Sequence, residues 1–420
     1  MTAADLDPDT VVVETAAATV SPGAAERNVS VGERLFELAT ATRAQLSQLP
    51  PAAPVLSEEV LSWVWAAVDA STAANTKAAY RSDWARFTAW CTAGGHQPLP
   101  AHPLTVAAYL TEAAAEETGP GRWLYAPATL TRWCSSINQF HTAAHQDPPG
   151  RDEIVRRALS GIRRLRTRPP ARRAPLLLDD LRTLLGSLER EVAGWPGGVA
   201  ARRDATLLLL GFATAARRSE LAALTVGDIT AHRVDGLHIR LRKSKNDQEG
   251  RGAVKAVLYG RDPATCPPCA YTRWRLLLNA ADRAIDGRQR RLVLRELHRQ
   301  VRDAGVDGHV CRVDLPEPAD PGRALFPRVQ KTGFIGDTAM GGPAVNQIIA
   351  RRAAAGYTTG QIAKLGGHSL RAGFVTEAFR QGADAHGIKR QTGHRNPAIL
   401  EVYAREHAPL IGNAVTKLGL

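Results

Sequence analysis

The sequence predicts a mainly α protein with a small antiparallel β-sheet, divided into two domains. Apolar residues recur at helical spacing over most of 56–165 and again from 176 onward. One pair of segments, 237–242 and 253–258, alternates apolar and polar residues as strands do, with Gly250 and Gly252 available for a turn between them. A basic run with prolines, 166–175, separates the two periodic regions, and 420 residues exceed the usual size of a single core.

Residues 1–55 are rich in Ala, Thr, Val and Pro, carry more acidic than basic side chains and show no sustained apolar period, so a disordered arm is expected. A helical domain is expected over 56–165. Ser57 followed by Glu58 and Glu59 makes an acidic helix start, with Val60, Leu61, Val64 and Val68 behind it. In the next helix Tyr80, Trp84, Phe87 and Cys91 form one stripe, and Gly94 with Gly95 ends it. Further helices are expected from Leu104, from Thr129 (Leu130, Trp133, Ile137, Phe140) and from Glu153 to Leu165. The arginines from Arg163 through Arg164, Arg166, Arg168, Arg172 and Arg173, interleaved with prolines, suit an extended linker lying along a phosphate backbone.

The second domain, 176–420 with a C-terminal tail, opens with a helix over 176–188 and a long apolar helix over 205–216 that the RRSEL segment closes. Residues 270–305 read as helical and charged, 306–343 as looped, and the remainder as helical.

A formal net charge of +13, with the acidic arm subtracting from it, gives the folded part a positive field suited to a polyanion such as nucleic acid. No segment is apolar for long enough to span a bilayer, and the N-terminus lacks a basic region followed by an apolar stretch. A cytoplasmic, soluble protein with no membrane partner is therefore expected. Five cysteines, an odd number, argue for a reducing compartment. Cys266 and Cys269 could form a zinc site with His309 and Cys311, but the plainer reading is a Pro-rich turn and no metal is expected.

The chemistry lies in four places. Arg217 precedes Glu220 by three residues, so an ion pair could hold the guanidinium fork for phosphate. His368 and Arg371, three apart after Gly366 and Gly367, share a face near a helix N-terminus, where anions are favoured. His394 and Tyr403 are nine apart and would face opposite ways on one continuous helix. Asn396 and Pro397 supply an N-cap and a first helical residue, so a new helix starts there and the two side chains can converge. Lysines 243 and 245 lie on the hairpin. Each of these, alone, is more often structural; together they supply a nucleophile, cationic groups and a proton donor for metal-free phosphodiester cleavage.

The ordered set RRSEL, SKNDQEG, GHSLRAG, TGH and Tyr403 resembles the catalytic domain of the tyrosine recombinases, the phage integrase family. Upstream, Thr76, Tyr80, Asp83, Trp84, Phe87, Trp90, Cys91 and 129–141 look like that family's helical core-binding (SAM-like) domain, so the likeness covers 56–420.

The resemblance implies a two-domain C-shaped DNA clamp, with no cofactor. Tyr403 would attack the scissile phosphate, giving a 3'-phosphotyrosyl link and a free 5'-hydroxyl. Arg217, Arg371 and His394 would stabilise the transition state, with Glu220 supporting Arg217. Lys245 would protonate the leaving oxygen, and His368 would help to remove the tyrosine proton.

Lys77, Arg81, Arg86 and Arg132, with the linker arginines, are the expected DNA contacts. The implied partners are double-stranded recombination sites, a homotetramer acting through a Holliday junction, and accessory DNA-bending proteins. The stretch 279–343 is longer than the family's usual connection. A type IB topoisomerase-like relaxing enzyme or a non-catalytic DNA-binding relative would share parts of this pattern.

Overall fold

The computed structural model describes residues 56–166, 173–242, 252–284, 287–303 and 308–394, and residues 396, 400, 402, 403, 415 and 418. The expected arm, the linker residues Arg168 and Arg172, the hairpin tip with Lys245, and Leu410 and Ile411 of the tail lie outside the described residues. The chain divides into two units, Met1–Ala171 and Arg172–Leu420. Both are mainly helical, and no helix among the described residues is long and apolar enough to cross a membrane.

The first unit begins with α1 (Glu58–Ala70), where the Ser57 hydroxyl accepts the Val60 N–H at 3.3 Å and Glu58 and Glu59 occupy the first turn. Four further helices make the core: α2 (Ala74–Ala93), α3 (Pro103–Ala115), α4 (Pro127–Ala143) and α5 (Glu153–Leu165). A short hairpin, β1 (Glu117–Gly119) and β2 (Arg122–Trp123), joins α3 to α4. Phe87, Cys91, Leu110, Leu130, Trp133, Ile137, Val155 and Leu159 pack together as the helical stripes require. α5 shows the pattern most sharply: Val155, Leu159 and Ile162 are buried, while Arg163 and Arg164 are exposed in its last turn.

In the second unit, α6 (Leu178–Glu191) and α7 (Gly197–Thr214) pack side by side. The short α8 (Arg218–Ala222) leads into a three-stranded antiparallel sheet, β3 (Ile229–His232), β4 (Gly236–Leu241) and β5 (Ala253–Val257), in sequence order. β4 and β5 are the expected hairpin; β3, pairing Ile229 with Ile239, was not anticipated. Then follow α9 (Pro267–Asp282) and α10 (Gln289–Arg302), the hairpin β6 (Pro327–Val329) and β7 (Ile335–Ala339), α11 (Gly342–Ala353), α12 (Thr359–Ile362), α13 (Gly367–Arg380) and α14 (Ala385–Thr392).

The helical reading of 270–305 holds over α9 and α10. Two expectations change. The supposedly looped 306–343 contains β6 and β7, whose short, Gly-bearing strands hide the alternation. α7 starts at Gly197, well before 205, because its charged opening is buried as ion pairs. Asp204, fully buried, accepts Arg203 Nε and Nη2 at 2.9 and 2.7 Å on one oxygen. Its other oxygen accepts Arg351 Nη2 at 2.9 Å and Arg352 Nε at 2.7 Å. Arg352 also reaches both Glu191 oxygens, so this cluster ties α6, α7 and α11 together.

One glycine of the GHSLRAG segment has a specific packing role. The extended segment before α6 runs along α13, with Leu176 N–H donating to Ser369 carbonyl at 3.0 Å. A Cβ on Gly373 would lie 1.8 Å from the Leu176 carbonyl oxygen, so only glycine admits this close passage.

Candidate active site

Helix α7 ends at Ala215, whose φ of 48° places it in the left-handed region. This break does two things. It turns the Ala215 carbonyl toward α13, where Arg371 Nη1 donates to it at 2.7 Å. It also makes Arg217 the extended residue that precedes α8, so the RRSEL segment opens a new helix instead of closing the long one. Glu220, 7% exposed, then holds Arg217 twice: one carboxylate oxygen accepts the Arg217 backbone N–H at 2.9 Å and the other accepts Nη1 at 2.7 Å. One edge of each guanidinium is thereby fixed, which is the preorganisation that oxyanion binding requires.

His368 stands in the first turn of α13 and is half-buried. Its Nε2 lies 2.7 Å from the Tyr403 hydroxyl. Tyr403 is buried among Ala372, Val375, Phe379, Ile388 and Leu400. Gly393, at φ 69°, ends α14 in the left-handed region, and Leu400, Val402 and Tyr403 are helical again. His394 and Asn396 are not helical, and Pro397 lies outside the described residues.

The His394 ring is buried and its Nδ1 lies 2.8 Å from the Thr392 hydroxyl. Burial first, then the charges of Arg371 and Arg217, lower its pKa from 6.5 to about 3, so the imidazole is neutral near pH 7. Beside it opens a concave surface lined by His386, Lys389, Arg390, Gly393 and His394.

Sequence reasoning missed one member. Lys255, paired with Ile239 in the sheet, points inward with Val257 and is 5% exposed. Its ammonium donates to the Thr214 carbonyl at 2.6 Å, at the C-terminal end of α7, where carbonyls lack helical partners and cations are favoured. Burial, then Arg371 and, against the pull of Glu220, Arg217 lower its pKa from 10.5 to about 8. The signal was present: strand alternation puts positions 255 and 257 on one face, and an inward lysine flanked by Val254 and Val257 needs a polar destination.

The residues expected at DNA stand in varied settings. Lys77 pairs with Asp69 at 2.5 Å, and Arg132 pairs with buried Asp83 at 2.7 Å. Arg81 is half-buried on α2. Arg86 lies over the Trp133 ring at 5.1 Å and donates to the Tyr125 hydroxyl. Arg166 is engaged inside its unit, over Trp123 at 4.4 Å and donating to the Tyr125 carbonyl at 2.7 Å. Arg173 donates to the Ala363 carbonyl at 2.6 Å, so it belongs to the second unit's framework instead of to an extended linker. Arg163 and Arg164 are exposed.

No family model matches the chain. It is similar to a protein described as an integrase/recombinase xerD homolog from Selenomonas ruminantium, with 27% identity over 355 residues, 84% of this chain and 87% of that protein. Among solved structures it is similar to the XerH site-specific recombinase bound to a palindromic difH substrate in a post-cleavage complex. That match has 15% identity and a TM-score of 0.45, covering 75% of this chain and 72% of that one. A second match is the Tn1549 transposon integrase in complex with transposon right-end DNA, with 15% identity and a TM-score of 0.42, covering 79% and 89%.

Proposed function

We propose that this chain, a member of the tyrosine recombinase family, is a site-specific recombinase that cleaves and rejoins DNA through a phosphotyrosyl link on Tyr403. The observation that carries this is the 2.7 Å contact between His368 Nε2 and the Tyr403 hydroxyl, within the same site as two arginines each fixed along one edge. A tyrosine hydroxyl titrates near 10, so an imidazole within hydrogen-bond reach is the group that takes its proton as oxygen attacks phosphorus.

Arg217 and Arg371 would bind the nonbridging oxygens as negative charge builds in the pentacoordinate transition state. His394, neutral, would act as a hydrogen-bond donor. In the tautomer that accepts the Thr392 hydroxyl at Nδ1, the proton is on Nε2 and can be offered to a phosphate oxygen. The leaving 5'-oxygen must be protonated, and we assign that proton to Lys245 on the hairpin. Lys255 then holds the α7 terminus and contributes fixed positive charge. The bond energy is retained in the tyrosyl phosphodiester, so rejoining needs no cofactor.

The same reading extends to a homotetramer on two duplex sites with a Holliday-junction intermediate, with accessory DNA-bending proteins as further partners. Exposed Arg163 and Arg164 would lie on the phosphate backbone.

The test uses a nicked duplex that releases its 5'-hydroxyl fragment after cleavage and so traps the covalent adduct. The unaltered protein should yield a detergent-stable complex that is lost in Tyr403→Phe. An adduct that persists in Tyr403→Phe refutes the nucleophile. Relaxation of supercoiled DNA without strand exchange between two cognate sites would replace recombination by a type IB topoisomerase activity.

A further inference from the structure

The stretch between the sheet and α13 carries a side-chain cluster that DNA cleavage does not use. Cys266 immediately precedes α9, Cys269 lies in its first turn, and residues 308–311 return from beyond α10 to place His309 and Cys311 beside them. Cys266 and Cys269 are fully buried and Cys311 is 8% exposed. Instead of the Pro-rich turn expected from sequence, these residues bring four ligand atoms within 4.8 Å of one another.

The separations match the edges of a metal tetrahedron. With Zn–S of about 2.3 Å and Zn–N of about 2.0–2.1 Å, two sulfurs should lie ~3.8 Å apart and sulfur and nitrogen ~3.5 Å apart. Cys266 Sγ lies 3.9 Å from Cys311 Sγ, and His309 Nδ1 lies 3.3 Å from Cys269 Sγ and 3.8 Å from Cys311 Sγ. A disulfide would need its sulfurs at about 2.05 Å.

The surroundings are arranged for the deprotonated ligands. The Gly260 N–H donates to Cys266 Sγ and the Val310 N–H to Cys269 Sγ, each at 3.3 Å, which supports negative charge on sulfur. His309 Nε2 lies 3.4 Å from the Arg261 carbonyl, so its proton belongs there and Nδ1 keeps its lone pair for a metal.

We propose that Cys266, Cys269, His309 and Cys311 bind one zinc ion as a closed structural site. Three thiolates and one imidazole complete a tetrahedron with no position left for water, so the ion holds chain together and does no chemistry. It would fasten the 308–311 return to the N-terminus of α9. That helix in turn is bonded to α7 through the Thr206 hydroxyl and the Ala270 carbonyl at 2.9 Å. Gly260, three residues beyond the strand that carries Lys255, meets the same helix start through Cys266.

The full chain, purified without a metal-binding tag, should contain one equivalent of zinc by atomic emission. Exchange for cobalt(II) should give thiolate-to-cobalt charge-transfer bands in the near ultraviolet and the strong visible bands of tetrahedral coordination. Cys311→Ser and His309→Ala should lower the zinc content and change the cobalt spectrum. Chelation should lower Tm and expose thiols to a disulfide reagent. Substoichiometric zinc, no cobalt charge-transfer bands and unchanged thiol reactivity with and without chelator in the unaltered protein would overturn the proposal. None of these readouts depends on DNA cleavage, so this site and the Tyr403 chemistry stand or fall separately.

Discussion

Lys255 keeps a positive charge out of water, and the size of that burden can be read from its titration. The side chain is 5% exposed and its pKa falls from 10.5 to about 8. At ~1.4 kcal/mol per pH unit the displacement corresponds to about 3 kcal/mol. The sign follows from proton binding. In the unfolded chain Lys255 keeps its proton up to 10.5, whereas in the folded chain it is released near 8. Between those values the unfolded state binds more protons, so this residue makes unfolding free energy rise with pH.

Lys255→Met keeps the length and removes the titration. Urea unfolding of both proteins at several pH values should show the wild type gaining on the variant by ~1.4 kcal/mol per pH unit above pH 8, with little relative change below it. A difference that stays flat across that window refutes the buried ammonium. Cleavage of the nicked duplex should fall by ~10²–10³-fold in Lys255→Met, from lost charge at the arginine pair. A substrate with sulfur in the 5'-bridging position leaves without a proton, so it should rescue Lys245→Met and fail to rescue Lys255→Met. The reverse pattern would transfer the proton-donor role to Lys255.

Two further outcomes follow from buried groups. His394 has a folded pKa of about 3 against 6.5 unfolded, so the unfolded state binds more protons between these values and stability is lost as pH falls through them. Relative to His394→Gln, the wild type should lose ~1.4 kcal/mol per pH unit below 6.5; a pH-independent difference in urea unfolding would contradict this. Asp204→Asn leaves three arginines around a neutral amide in the α6–α7–α11 cluster and should cost ~3–5 kcal/mol, lowering Tm by roughly 10 °C. A change of only a degree or two would show that the arginines find other partners.

The helical periodicity of 56–165 and the alternation of 237–242 with 253–258 were legible because each buries one face against a core, and burial imprints a period. The Arg217–Glu220 pair was legible from its three-residue spacing, but its placement was not. The left-handed turn at Ala215 carries no residue signature, since alanine rarely adopts it, and so the RRSEL segment was expected to close α7 and not to open α8. Lys255 escaped because lysine reads as surface until its strand register is known. The four possible ligands were nameable from the sequence, but their convergence was not, because His309 and Cys311 reach Cys266 only after α9 and α10 have turned back, a closure no local pattern encodes.

The bond from His368 to Tyr403 joins two groups of the same polypeptide, as do Arg217 with Glu220 and Arg371 with Ala215. Among the described residues, Tyr403, His368, Arg217 and Arg371 are thus held by bonds within one chain. If this single-chain set is the one that cuts, damage is private: a copy lacking its tyrosine and a copy lacking an arginine, mixed on one DNA site, would not repair each other. A strand left uncut would name the copy that failed.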